Sequence, residues 1–340
     1  MVTKLLIKLG SFIQREKRLP TIQEIIRGLN LKMEKMPLPT FIQIEPTTKC
    51  NFNCIMCTRK TLNQKRLNKD LTLEEFKEIL RQIPTVRKIK LQGLGEPLMN
   101  PYLHEIVAYG RELGISFTTT VNGSLLSGRN LEMILQFFDE VVISLDTTDR
   151  ERYSMIRGHK MYDDIIKNIK ECVKRKRETM RRINIGINSV ISHLNYDEIP
   201  KLVELSKSLG VDYISIVEVE NWKIPTEKGY VYEASFINKA REVKQKIHEY
   251  VEMCRKEGFT IYFSSSEKRK LKCRWPFDSC FITVDGYVTP CCIRMDPEAI
   301  NFGNIFEKPF KKIWNSEKYR MFRRSMIRNL PNPCCDNCPD

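Results

Sequence analysis

Between residues 40 and 258, runs suited to a buried strand alternate with stretches suited to an amphipathic helix, and few folds accommodate that order. Strands are expected at Phe41–Glu45, Val86–Gln92, Ile115–Val121, Val141–Asp146, Ile183–Ile191 and Tyr213–Val219. Helical patterns fill the intervals at Leu103–Leu113, Leu131–Phe138, Asp163–Met180 and Ile199–Leu209, with a longer one over about Ala234–Lys256. A further helix opens at Thr72, where Glu75 stands at capping-box spacing. Six β/α units joined by right-handed crossovers predict a parallel sheet, either open or closed into a partial barrel. In such folds the chemistry collects beyond the C-terminal ends of the strands.

Composition changes after Phe263. Phe281–Val284, Asp285-Gly286 and Tyr287–Thr289 read as a hairpin with a tight turn. Lys311–Met326 reads as one helix, and seven of the twelve cysteines lie from Cys273 onward. So cysteine-rich a segment is expected to be held by a metal centre rather than by a core. Two short helices are expected in the first 39 residues. One has an apolar face of Leu5, Leu6, Leu9, Phe12 and Ile13, and the other opens at Pro20-Thr21. Packing on the following domain is expected of them before contact with a membrane surface. The chain thus divides into an N-terminal helical segment (1–39), an α/β domain (40–262) and a cysteine-rich α+β domain (263–340).

With 41% hydrophobic residues the chain has the material for a core, and no apolar run approaches the ~20 residues of a membrane span. Lys8 interrupts the first apolar stretch and no small-residue cleavage site follows, so a cytoplasmic location is expected, peripheral contact with the inner membrane surface included. Twelve cysteines are then expected as thiols, metal ligands or cluster ligands rather than disulfides. The net charge of +15 is concentrated in residues 1–39, 167–182 and 301–333; such faces attract acidic partners or serve as solvated surface.

Cys50, Cys54 and Cys57 place three thiols in eight residues, just past the first strand. Soft thiolates select zinc, copper(I) or iron–sulfur centres. A structural zinc site needs a fourth ligand close by, but the nearest histidine is His104 and the next cysteine Cys172. Three ligands on a four-iron cluster leave one iron open to a substrate or cofactor. None of the four histidines stands out as catalytic.

The C-x3-C-x2-C triplet after the first strand resembles the signature of the radical S-adenosylmethionine superfamily, and the resemblance runs over residues 40–220. It implies a partial (β/α)6 TIM-like barrel, with Cys50, Cys54 and Cys57 as ligands of a [4Fe–4S] cluster. Gly93-Leu94-Gly95-Glu96-Pro97 is similar to the family's G-E-P segment, which holds the methionyl amine; Gly95 admits close backbone approach and Glu96 accepts from an ammonium. The same likeness implies cofactor contacts at Met56, Asn122, Ser144 and Asp146, and weaker ones at Asn188 and Ser189. Asn122 lies in a Val-Asn-Gly where relatives carry Thr-Asn-Gly.

In the tail, Cys273, the Cys291-Cys292 pair and Cys335-x2-Cys338, with Gly303-Asn304-Ile305 and Ile313-Trp314-Asn315 between, resemble the SPASM group in its abbreviated twitch form. The implied ligands of one auxiliary [4Fe–4S] cluster are Cys273, Cys291, Cys335 and Cys338, with Cys292 and Cys334 as substitutes. A structural zinc ribbon is the competing reading. Cys172, Cys254 and Cys280 read as buried hydrophobes.

The resemblance implies reductive cleavage of S-adenosylmethionine to a 5′-deoxyadenosyl radical, which takes hydrogen from the substrate. The electron comes from an external donor of the ferredoxin or flavodoxin type. The auxiliary cluster suits removal of a second electron. The favoured reading is oxidation or coupling of a sugar, cyclitol or lipid-linked small molecule, an acidic one included. Modification of a peptide is the alternative, and a non-catalytic cluster or zinc protein that binds nucleic acid is the alternative from another class. No residue is singled out as the general base; Glu218, Glu220, Tyr230 and Tyr232 lie near the sixth strand.

Overall fold

The computed structural model describes residues 36–219, 249–254, 256–264, 273–327 and Cys335. The N-terminal helices, most of the helix expected over 234–256, Glu220, Tyr230, Tyr232, Cys334 and Cys338 lie outside the described residues.

Seven strands run parallel in chain order: β1 (Phe41–Ile44), β2 (Lys88–Leu91), β3 (Ser116–Val121), β4 (Glu140–Ser144), β5 (Asn184–Ile191), β6 (Tyr213–Glu218) and β7 (Thr260–Ser264). Between them come α1 (Leu73–Gln82), α2 (Leu103–Glu112), α3 (Gly128–Phe137), α4 (Arg150–Arg157), α5 (Tyr162–Glu178) and α6 (Ile199–Leu209). Two elements exceed the expectation. The seventh strand extends the sheet, and α4 is short and polar, so no hydrophobic period announces it.

Local chemistry fixes several ends. Thr72 and Glu75 form the reciprocal capping box expected at the start of α1, worth about 1 kcal/mol. Gly158 closes α4 at φ 68°, left-handed backbone that a side chain resists.

Sequential strand order with right-handed crossovers puts every crossover helix on one face of the sheet. The residues facing the helices are buried and mostly apolar: Ile89, Phe117, Val141, Ile143, Ile187 and Ile214 are each 0% exposed. The opposite face, concave in a barrel, is polar. There the register aligns Gln43, Lys90, Thr118 and Glu140 in one row and Ser144, Asn188 and Ser215 in another nearer the strand ends. The result is a mostly parallel α/β sheet in partial-barrel form, followed by a cysteine-rich C-terminal domain.

That second domain completes the sheet at the other edge. It comprises α7 (Trp275–Asp278), β8 (Phe281–Ile282), β9 (Val288–Thr289), α8 (Phe310–Trp314) and α9 (Glu317–Ile327). The hairpin forms as expected, and β8 pairs parallel to β1. The single helix expected over Lys311–Met326 is two helices, broken at Asn315-Ser316 because Asn315 turns away to exchange hydrogen bonds with the backbone of Met36.

The expectation that metal substitutes for a core here is corrected. Phe277, Val288, Phe302, Ile305, Phe310, Ile313, Trp314, Tyr319 and Phe322 are buried and join the barrel's own core. Phe302 stacks on Tyr319 at 3.7 Å, and Trp314 donates to the Pro37 carbonyl at 2.8 Å. A second junction is ionic. Arg66 pairs with Asp285 of the hairpin turn at 3.0 Å and with Glu45 at 3.4 Å. Glu45 in turn accepts from the backbone N–H of Leu94 and of Val284, tying the Gly93–Pro97 loop to the hairpin.

Candidate active site

Cys50, Cys54 and Cys57 lie half-buried in a loop beyond the end of β1. Each sulfur takes one donor: the Phe52 N–H on Cys50 at 3.4 Å, the Arg59 N–H on Cys57 at 3.5 Å, and the Arg157 guanidinium on Cys54 at 3.9 Å. Burial pushes the Cys50 thiol up to about 11 and raises that of Cys57 as well. A bare thiolate is therefore costly here, and a bound metal offsets that cost. Among the described residues no three His, Cys, Asp or Glu side chains converge closely enough for a single metal ion. Three cysteines with sulfur-directed donors, and no fourth ligand beside them among the described residues, fit a cluster with one iron left open.

The loop is fastened from three sides. Gly95 packs against it so closely that an added Cβ would stand 2.3 Å from the Thr47 carbonyl oxygen and 2.5 Å from that of Lys49. The close approach that Gly95 permits is thus to this loop's own backbone. Asn51 joins the end of β3, accepting from the Asn122 amide at 2.8 Å and donating to the Ser124 hydroxyl at 2.9 Å. The third side is α4, where the Ile55 N–H bonds the Ile156 carbonyl at 2.9 Å and His159 stacks on Phe52.

Glu96 is 3% exposed, and its two oxygens accept from the N–H groups of Asn122 and Leu98. Burial raises its carboxyl to about 7, against an ordinary value near 4.5. It therefore clamps the ends of β2 and β3 as well as lying near Cys50, whose thiol it influences. Pro97 opens the short 3-10 turn behind it. Met56 is half-buried in the cysteine loop.

The expectation that Asp146 faces a cofactor is corrected. It is 0% exposed, accepts from the Val190 N–H at 2.8 Å and pairs with Arg157 at 2.6 Å. Its reach toward the cysteine loop runs through Arg157, which nothing in the local pattern marks. Ser144 and Asn188 share a row on the concave face, whereas Ser189 points to the helices and is fully buried, with no hydrogen-bond partner among the described residues. The strand period of two separates these neighbours.

The concave wall holds residues that no motif flagged. Tyr213 donates to Glu140 at 2.8 Å, its ring lying across Gly186, where a Cβ would meet it at 2.3 Å. Lys90, half-buried, has its ammonium pushed below the ordinary range by desolvation, with the Cys292 thiol and Glu140 the acidic groups that act on it. Neither stands at ion-pair distance.

Toward the C-terminus, Cys291 is buried and its thiol, raised by burial, is influenced by those of Cys292 and Cys273. Cys335 packs partly buried against the core. Cys172, Cys254 and Cys280 are each 0% exposed, as expected of core residues. Beside Cys280 stands Arg323, fully buried between the rings of Trp314 and Tyr319 at 4.2 and 4.0 Å.

A parallel α/β sheet with a three-cysteine loop at the mouth and a cysteine-rich hairpin domain at its edge defines a class. Residues 44–206 match the radical SAM superfamily, and residues 273–339 match SPASM, an iron–sulfur cluster-binding domain. The chain belongs to the radical SAM superfamily and carries a SPASM domain, so it is an enzyme whose cofactors are S-adenosylmethionine, the [4Fe–4S] cluster that cleaves it and an auxiliary iron–sulfur centre. It is 25% identical over 321 residues to a tungsten-containing aldehyde ferredoxin oxidoreductase cofactor-modifying protein of Pyrococcus furiosus, covering 88% of this chain and 86% of the relative. It is 26% identical over 316 residues to an AdoMet-dependent heme synthase of Methanosarcina barkeri, covering 84% and 85%. Among solved structures, Streptococcus suis SuiB bound to S-adenosylmethionine superposes with a TM-score of 0.70 at 19% identity, covering 94% of this chain and 78% of that one. AdoMet-bound anSMEcpe does so at 0.68 and 15%, covering 85% and 84%. These two likenesses speak for the fold. Among the described residues no helix is long and apolar enough to cross a membrane.

Proposed function

We propose that the protein oxidises or couples a small polar molecule bearing an anionic group, of the sugar, cyclitol, cofactor or lipid-linked kind, and that its auxiliary cluster takes the second electron. The observation that carries this reading is the concave wall, where half-buried Lys90 shares a row with Gln43, Thr118 and Glu140 and, among the described residues, makes no hydrogen bond or ion pair. An ammonium partly withdrawn from water without a direct partner is costly, and a phosphate or carboxylate entering the lumen offsets that cost. Relatives named for heme, for a tungsten enzyme's cofactor and, in Pyrococcus abyssi, for GTP support a small molecule, since heme and GTP carry such groups.

When bound, the cluster and S-adenosylmethionine supply one-electron cleavage of a sulfonium and hence hydrogen-atom abstraction. The chain's own residues would do the rest. Cys50, Cys54 and Cys57 hold the cluster, and Glu96 accepts from the cofactor's ammonium. Asn122, Ser144 and Asn188 line the strand ends above the substrate. Cys273, Cys291, Cys335 and Cys338 hold the auxiliary cluster, while Lys90 anchors the substrate's anion and the apolar helix-facing layer excludes water.

The test is 5′-deoxyadenosine formation by the anaerobically reconstituted protein, supplied with a low-potential reductant and either a small-metabolite or a peptide fraction of a cell extract. Stimulation by the metabolite fraction, lost in Lys90→Met, is expected. Stimulation by peptides alone would overturn the reading in favour of a maturase.

A further inference from the structure

Of the donors to the three loop sulfurs, two are backbone N–H groups and one is a cation, Arg157 on Cys54. Arg157 is 8% exposed, and its guanidinium is held from behind by Asp146, itself fully buried and anchored by the Val190 N–H. Asp146 lies two residues beyond β4 while Arg157 ends α4. Their pairing therefore depends on how that helix docks. The docking is tight: the Ile55–Ile156 hydrogen bond and the His159–Phe52 stack join it to the cysteine loop, and a Cβ on Gly158 would stand 2.6 Å from the Asn53 carbonyl oxygen.

We propose that the Asp146–Arg157 pair sets the reduction potential of the cluster held by Cys50, Cys54 and Cys57, through the charged hydrogen bond to the Cys54 sulfur. This rests on the assignment of those three cysteines as the cluster's ligands. A thiolate-bound four-iron cluster is net negative and gains a further negative charge when it accepts an electron. A buried cation bonded to one ligand sulfur stabilises the reduced form more than the oxidised form, and so raises the potential. Low local dielectric strengthens the effect, and Asp146 tempers it by sharing the guanidinium's charge. Arg157 is thus a positioning residue that eases entry of the electron from the external donor.

The experiment is a redox titration, followed by electron paramagnetic resonance, of full-length anaerobically reconstituted protein. The relevant signal is the one absent from a Cys50/Cys54/Cys57→Ala variant. Arg157→Gln should move that signal's midpoint to a more negative potential. Asp146→Asn, which keeps the shape but removes the tempering charge, should move it to a more positive one. Iron content and S-adenosylmethionine affinity are measured alongside. A wild-type midpoint in an Arg157→Gln protein with full iron would overturn the proposal, even if cofactor affinity falls. If Arg157→Gln loses its cluster, Asp146→Asn decides: an upward shift supports the proposal, and an unchanged or lower midpoint overturns it. Full iron in the triple cysteine variant would instead overturn the ligand assignment, and this proposal with it.

Discussion

The two cysteine-rich regions are built on opposite plans. The loop at 50–57 has little core of its own: Phe52 is its one buried apolar side chain, and polar contacts from Gly95, Asn51, Asn122 and α4 hold it over the barrel mouth. The segment after Cys273 has an aromatic core of Phe302, Phe310, Trp314, Tyr319 and Phe322, a strand paired to β1 and the Arg66–Asp285 junction. Cysteine density is therefore a poor guide to what metal does for a fold. In the first region metal completes a site that the barrel has already shaped. In the second it closes a domain that burial has already largely assembled.

The largest expected effect breaks the first region alone. Replacing Cys50, Cys54 and Cys57 together by Ala should remove about half of the reconstituted iron, as expected for one of two like clusters. Cleavage of S-adenosylmethionine should cease while auxiliary absorption persists. Cys338→Ala is the complementary break. It should remove the auxiliary share of iron and stop substrate turnover while partial cofactor cleavage continues. Residues 275–327 should remain protected in limited proteolysis, because their core does not depend on the cluster. Digestion of that whole segment would show that metal, not burial, holds it.

A smaller effect sharpens the junction between the regions. Arg66→Met leaves Glu45 and Asp285 without their cation. Removing one partner of a buried pair costs about 3–5 kcal/mol, read by urea denaturation of the apoprotein. Asp285→Asn should cost less, since Glu45 still faces Arg66.

The smallest effect concerns Glu96. Its carboxyl is raised by burial to about 7 from near 4.5, so the folded apoprotein prefers it protonated. That contribution is present below the unfolded value and is lost as pH rises through the folded one. Apoprotein stability should therefore fall by on the order of 2–3 kcal/mol between pH 4.5 and 7.5, and Glu96→Gln should flatten that slope in denaturation curves. An unchanged slope would show that the carboxylate is better solvated than its 3% exposure suggests.

By itself the sequence determined the repeating β/α units, because hydrophobic period and capping chemistry are local: Thr72 with Glu75 started α1 as expected, and strands two to six began within two residues of where they were expected. The thiol spacing at 50–57 likewise carried its own chemistry. Only the tertiary structure decided what the long-range contacts do. Gly95 packs on Thr47 and Lys49 across two strand ends, and Asp146 is committed to an arginine eleven residues away on a helix too polar to show a period. Lys90 faces the lumen rather than the helices by strand register alone, and Trp314, in the cysteine-rich domain, anchors Pro37. The contacts of Gly95 and Trp314 join segments far apart in sequence, and that of Asp146 joins a loop to a helix whose docking is itself set by such contacts, where no spacing rule reaches.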